Sequence, residues 1–239
     1  MNNNYPQFSR ELILIGAENF KKINDLRVLV LGIGGVGSYT VNALARSGVG
    51  TIGIVDNDEV SETNINRQLI ATYNTIGRKK VDVMEEIIHS INPKCVVHSY
   101  EMFYLKDNSN QIDFTKYDFI VDCVDTISAK LEIIEKAKEA NVEVISCMGT
   151  GNKLDPFAFK IADINQTSMC PLARTMRYEL KKRNIKNVKV LYSTEKAQDG
   201  VIYDELRGKA IPGSIAYVPS VAGLMLASYI INKVIEEKK

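Results

Sequence analysis

Short, unbroken apolar runs alternate along the chain with longer segments in which apolar positions recur every three or four residues. The runs at 28–31, 52–55, 95–99, 119–122 and 142–147 read as strands. The segments at about 10–23, 36–47, 79–90 and 128–140 carry helical periodicity. The third of these ends near Asn92-Pro93, because the residue before a proline disfavours helical backbone. Regular βα alternation predicts an α/β, Rossmann-like, doubly wound, mainly parallel sheet. Beyond Gly149 the pattern changes to apolar stretches at 157–161 and 188–192 and a last helix from about Pro219. That predicts a C-terminal strand extension and helix on the same sheet, and the chain reads as one domain, 1–239. The 195–212 stretch is polar and glycine-containing and is expected to be mobile.

One glycine run sits where chemistry is expected. Arg27-Val28-Leu29-Val30-Leu31 passes directly into Gly32-Ile33-Gly34-Gly35-Val36-Gly37 at the start of a helix, and the next strand ends on Asp56, nineteen positions beyond Gly37. This is the dinucleotide fingerprint in its required strand–turn–helix setting. Glycines let the backbone approach a phosphate, the helix N-terminus supplies amide donors, and an acidic residue at that distance accepts ribose hydroxyls. A dehydrogenase, with only a diphosphate to bind, has little need of the cations beyond Asp56. Asn64-Ile65-Asn66-Arg67-Gln68 and Gly77-Arg78-Lys79-Lys80 add Arg67 and Lys80, which suit a triphosphate that is about to be cleaved. Taken singly, each is as compatible with a solvated surface charge.

Composition sets limits. Hydrophobic content of 45% and charged content of 25% are ordinary for a globular chain. A net charge of +1 gives no bulk attraction to nucleic acid, so RNA contact must come from local patches. The densest patch is Arg174, Arg177, Lys181, Lys182, Arg183, Lys186 and Lys189, with 174, 177 and 181 on one side of a helix. It suits nucleic-acid phosphates, or it is a solvated helix face. The start Met1-Asn2-Asn3-Asn4-Tyr5 lacks a basic end and an apolar stretch, so a cytoplasmic protein is expected. The apolar run near 221–231 falls short of the ~20 residues needed to span a bilayer, so no membrane span is expected. Its small residues Ala222, Gly223, Ala227 and Ser228 would let another backbone approach. Cys95, Cys123, Cys147 and Cys170 form no Cys-x-x-Cys pair, which disfavours a structural zinc site. Cys170, just before Pro171 at a helix start, is the thiol to weigh for covalent chemistry against an ordinary core role. His89 and His98 have no metal-like spacing.

The order Gly-x-Gly-Gly-Val-Gly, Asp56-x-Asp58, Asn-x-Asn-Arg-Gln, Gly-x-x-Lys and Asp122-Cys123-Val124-Asp125 resembles the ThiF/MoeB-like superfamily, relatives of ubiquitin-activating enzymes. Gly149-Thr150-Gly151-Asn152-Lys153-Leu154-Asp155-Pro156, Ala162-Asp163-Ile164, Thr167 to Arg174 and Tyr192-Ser193-Thr194-Glu195 are similar to one branch, the tRNA threonylcarbamoyladenosine dehydratase family. The resemblance implies ATP-dependent cyclisation of threonylcarbamoyladenosine next to the tRNA anticodon, by adenylation of the threonyl carboxylate and intramolecular ring closure. It divides the domain into a nucleotide-binding half, about 1–148, and a tRNA, substrate and dimerisation half, about 149–239. It implies that Gly32, Gly34, Gly35 and Gly37 line the triphosphate and Asp56 the ribose. Asn64 and Asn66 would hold the phosphate loop or nucleotide. Arg67 and Lys80 would stabilise phosphate charge, and Asp125 would bind magnesium. Without the family, Asp125 is as much a cap of the following helix. Arg10 matches an arginine that reaches a neighbouring subunit's ATP, so a homodimer is expected, and Arg174, Arg177, Lys181 and Lys182 would meet the tRNA. Whether a sulfur-transfer protein associates stays open. The alternative activity is adenylation of a sulfur-carrier protein C-terminus, whose activators often carry the two Cys-x-x-Cys pairs missing here.

Overall fold

A computed structural model describes residues 6–198, 201–204 and 209–236. Strands β1 (Arg27–Leu31), β2 (Thr51–Asp56), β3 (Val96–Glu101), β4 (Phe119–Asp122), β5 (Glu143–Cys147), β6 (Phe159–Asp163) and β7 (Lys189–Ser193) form one sheet in the order β3-β2-β1-β4-β5-β7-β6. All neighbours pair in parallel except β6, which runs antiparallel to β7. The strand extension is therefore an added edge, in register from Phe159 opposite Ser193 to Asp163 opposite Lys189. A two-stranded antiparallel ribbon, β8 (Val201–Asp204) and β9 (Lys209–Pro212), forms a separate small sheet. The stretch expected to be mobile falls partly outside the described residues, at 199–200 and 205–208.

Among the described residues six α-helices cover the sheet: α1 (Ser9–Asn24), α2 (Gly37–Arg46), α3 (Lys80–Ile91), α4 (Ile127–Glu139), α5 (Pro171–Lys182) and α6 (Tyr217–Glu236). β1 shows why its sequence lacks polar alternation. Val28 and Val30 enter the core shared with α2, α3 and α6, while Leu29 and Leu31 enter the opposite core shared with α4 and α5. Each of these side chains is fully buried, so each contributes roughly 1.5–3 kcal/mol of apolar transfer.

Two helices depart from the sequence pattern. α1 is interrupted at Gly16 (φ 79°, ψ 161°), a backbone state that glycine alone adopts freely, so two helical segments meet there. α6 is longer than its apolar run implied: at 20 residues it is long and apolar enough to cross a membrane by length and composition alone. Here it is a packed element. Val218, Ala222, Leu226 and Ile230 are fully buried, and a Cβ on Gly223 would lie 2.3 Å from the Val36 carbonyl oxygen at the start of α2. The absent side chain is what lets α6 lie directly against α2.

Candidate active site

The strand order reverses direction at β1, whose neighbours β2 and β4 lie on opposite sides. The chain leaves β1 towards α2 on one face and leaves β4 towards α4 on the other, opening a crevice at the carboxyl ends of both strands. Ligands of open α/β sheets bind at such a point.

The glycine loop lines this crevice, and its four glycines do different work. Gly32 has φ +88°, and a Cβ there would meet the Cys123 carbonyl carbon and oxygen at 2.9 Å. Gly37 is packed tighter still, with a Cβ position 1.8 Å from the Gly32 oxygen. Gly35 lies against Pro219 of α6 and beside Arg67, whose Cγ is 3.5 Å from the Cβ position. Only Gly34 faces space, its nearest neighbour being Gln68 Nε2 at 3.9 Å. Among the described residues no side chain caps α2; the Ser38 amide donates to the Gly34 carbonyl at 3.1 Å, and the positive end of the helix dipole lies at the loop.

Asp56 closes one side. Its Oδ2 accepts from the Ile33 amide at 2.7 Å and its Oδ1 from the Asp58 amide at 2.9 Å, so the carboxylate joins the glycine loop to β2. Burial pushes this carboxyl above its ordinary value, and neighbouring Lys80 and the two amides oppose the rise. Lys80 departs from expectation. Read as an exposed helix start, it is 5% exposed, with Nζ 2.7 Å from Asp58 Oδ2 and 3.8 Å from Asp56 Oδ1. The cause is local: Val60 and Gly77–Arg78 exchange backbone hydrogen bonds, and Glu59 bridges Lys79, folding 58–60 over the start of α3. The lysine is drawn under that flap toward Asp56.

Arg67 is half-buried, and its guanidinium donates to the Thr63 carbonyl at 2.7 Å and to Asn66 Oδ1 at 2.9 Å. Asn66 in turn donates to the Ser214 carbonyl at 3.1 Å. Asn64 turns inward instead: buried, it accepts from the Ser61 amide and braces its own 3-10 turn, Glu62–Asn64. Gln68, to which its motif assigned no role, is buried beside Gly34, and among the described residues its Oε1 has no hydrogen-bond partner.

Asp125 is exposed and is not the helix cap. The cap position of α4 is Thr126, and Asp125 accepts from the Thr126 hydroxyl at 3.3 Å. Among the described residues no group of three or more His, Cys, Asp or Glu is placed to hold a metal. A lone exposed carboxylate suits magnesium that arrives with phosphates, since that ion is commonly held by one or two carboxylates plus substrate oxygens. Arg10 is exposed on the first segment of α1.

The second-half motifs brace the crevice wall. Glu195 accepts from the Leu154 and Asp155 amides at 3.0 Å each, and Lys153 Nζ donates to the Glu195 carbonyl at 2.7 Å. Burial raises the Glu195 carboxyl, but these amides and Gln198 outweigh it and hold it below its ordinary range. Asn152 exchanges hydrogen bonds with the Gly213 backbone. The basic stripe is only partly free. Arg177 is half-buried and donates to the Thr167 carbonyl at 3.0 Å and to its hydroxyl, so it pins the start of α5 rather than facing solvent. Lys182 pairs with Glu179 and lies 4.1 Å from the Tyr178 ring centroid; Arg183 pairs with Glu179 and Glu135. Arg174 and Lys181 are exposed. Cys170 is buried at the start of α5, and burial pushes the Cys123 thiol well up and that of Cys147 to about 12, so these thiols behave as core groups.

The family model described as the ThiF family matches residues 8–239. A tRNA threonylcarbamoyladenosine dehydratase of Bacillus subtilis is 40% identical over 97% of this chain and 95% of its own. The Escherichia coli tRNA N6-threonylcarbamoyladenosine dehydratase, solved in complex with ATP, superposes with a TM-score of 0.87 at 29% identity, covering 98% of this chain and 96% of that one. An adenylyltransferase and sulfurtransferase of Vanderwaltozyma polyspora is 33% identical over 62% of this chain and 35% of its own. With nearly its whole length matched, the chain belongs to the ThiF family and, within it, to the tRNA threonylcarbamoyladenosine dehydratases.

Proposed function

We propose that the protein catalyses ATP-dependent dehydration of threonylcarbamoyladenosine next to the tRNA anticodon. The observation that carries this reading is the crevice at the ends of β1 and β4. A glycine loop open at Gly34 has Arg67 and Lys80 on one side and a lone exposed carboxylate, Asp125, on the other. Two cations and one carboxylate suit a triphosphate that is being divided.

Hydroxide is a poor leaving group, and ATP supplies a better one by converting the threonyl carboxylate to a mixed anhydride with AMP. The protein's part is binding and charge. The loop amides and the first turn of α2 hold phosphate oxygens, and Asp56, already fixed by two amides, keeps lone pairs for ribose hydroxyls. Arg67 and Lys80 gather charge as pyrophosphate departs, and Asp125 would hold magnesium, which would supply further charge stabilisation there. A nitrogen or oxygen of the same ureido group then attacks the acyl carbon, loses its proton and expels AMP to close the ring. Because that step is intramolecular, holding the geometry supplies much of the acceleration, and excluding water protects the anhydride.

Arg174, Lys181 and Lys182 are the exposed cations offered to tRNA phosphates. Ile13 and Leu14, 75% and 84% exposed on the first segment of α1 beside Arg10, support a homodimer in which this segment crosses to a second copy. The protein would act in the cytoplasm. Sulfur-carrier adenylation is the weaker reading, because the four cysteines are dispersed and form no Cys-x-x-Cys pair. Nucleoside mass spectrometry after incubating modified tRNA with protein and ATP tests the choice. A nucleoside lighter by one water is expected. AMP release only when a carrier protein is added would overturn it.

A further inference from the structure

A fully buried ion pair lies directly behind the crevice. Lys130 of α4 and Asp122 at the end of β4 are both 0% exposed, with Nζ 3.0 Å from Asp122 Oδ2. The ammonium also donates to the Cys147 carbonyl at 2.6 Å and to Ser146 Oγ at 3.4 Å, so each of its three N–H groups has a partner. Ser146 donates to the same Asp122 oxygen. The other oxygen, Oδ1, accepts from the Val124 amide at 3.1 Å.

Stability does not account for this arrangement. Replacing a buried ion pair by apolar groups of similar volume is commonly neutral or stabilising. What the pair supplies is geometry. One cation ties the carboxyl end of β4 to that of β5, and the chain of bonds ends on the amide immediately before Asp125. The same turn presses the Cys123 carbonyl against Gly32, where the loop leaves β1. We propose that Lys130 and Asp122 are positioning residues that hold the 123–125 turn, and with it the Asp125 carboxylate, in place for the nucleotide's magnesium. This rests on the reading of Asp125 under the proposed function.

The test uses the full-length D122L/K130M variant, which carries neither charge, with Asp125→Asn as the comparator. Three readouts are taken: amide hydrogen exchange without nucleotide, melting temperature, and the magnesium dependence of turnover on modified tRNA. Removing partners that orient a metal-holding group typically costs about 10–100-fold in metal affinity or activity. The expected result is a parental melting temperature, exchange about tenfold faster confined to 123–126, and magnesium half-saturation raised about tenfold. Parental exchange at 123–126 would overturn the proposal. So would a lowered melting temperature with faster exchange throughout β4 and β5, since the pair would then be a stabiliser of the core. Should the variant not fold, Ser146→Ala keeps both charges and removes one bond on Asp122, and about threefold faster exchange at 123–126 is expected; unchanged exchange overturns the proposal. A parental magnesium dependence in Asp125→Asn would instead refute the reading of Asp125, while the exchange data still report on the turn.

Discussion

Lys80→Ala should remove turnover and a measurable part of the stability together. The ammonium lies 2.7 Å from Asp58 and 3.8 Å from Asp56. Unit charges near 4 Å interact by about 4 kcal/mol at an effective dielectric near 20 and by about 1 kcal/mol in water. The Asp58 side chain is 58% exposed, which puts that contact near the water limit, whereas that of Asp56 is 9% exposed. Asp56 keeps its two amide donors after the substitution, so the net loss falls to about 2 kcal/mol. In a chain of this length that lowers the melting temperature by about 4–8 °C. Loss of a charge contact made in the transition state should slow adenylation by about 10²–10³-fold. ATP–pyrophosphate exchange with modified tRNA present, measured beside calorimetry, reads both quantities. Lys80→Met retains the aliphatic stem and separates packing from charge. Parental exchange in either variant would remove Lys80 from the reaction, and a parental melting temperature in both would show that the Asp56 contact carries no such energy.

The remaining expectations are simpler. Gly34→Ala should fold normally and weaken ATP binding, whereas Gly37→Ala should fail to fold, because its Cβ would sit 1.8 Å from a carbonyl oxygen; calorimetric titration and circular dichroism distinguish them. Reversing Arg174 and Lys181 to Glu should weaken tRNA binding and flatten its salt dependence without altering ATP affinity, and unchanged affinity across a salt series would move the RNA surface elsewhere. Reversing Arg177 should instead loosen the start of α5 and lower the melting temperature, since it would lose its bonds to Thr167. The lowered carboxyl pKa of Glu195 means its contribution is present at neutral pH and lost as pH falls below the ordinary glutamate value of about 4.3. The melting-temperature gap between parent and Glu195→Gln should therefore close in acid. Light scattering at micromolar concentration should give a dimer; a mass near 26.7 kDa would remove Arg10 from any shared site.

What the sequence made legible is the part governed by local rules. An uninterrupted apolar run such as 28–31 in β1 specifies a strand buried on both faces. A glycine run between such a strand and a helix specifies a phosphate-binding turn. What it concealed depends on contacts distant in sequence. Nothing in the neighbours of Lys80 or Lys130 reveals that a flap or a strand end will enclose them, and Lys80 taken singly is compatible with a solvated surface charge. Arg177 has helical spacing with Arg174 and Lys181, yet its partner Thr167 lies outside the helix. The antiparallel placement of β6 beyond β7 was hidden for the same reason, since an edge strand's direction is set by its partner.

The Gly35–Pro219 contact, the Thr40–Gly223 hydrogen bond and the close approach of Gly223 to Val36 have a consequence for how the molecule comes into being. Thr40 and Gly223 are separated by 183 positions, so the phosphate loop is supported by a segment synthesised long after it. A nascent chain carrying β1 to β5 has its glycine loop but lacks the helix that backs it. At roughly 5–20 residues per second, that interval lasts on the order of ten seconds or more. Long-range contacts of this kind slow folding, and an apolar groove on α2 stays open to solvent meanwhile. Nucleotide binding is thus an attribute the polypeptide acquires only after α6 has emerged from the ribosome and docked.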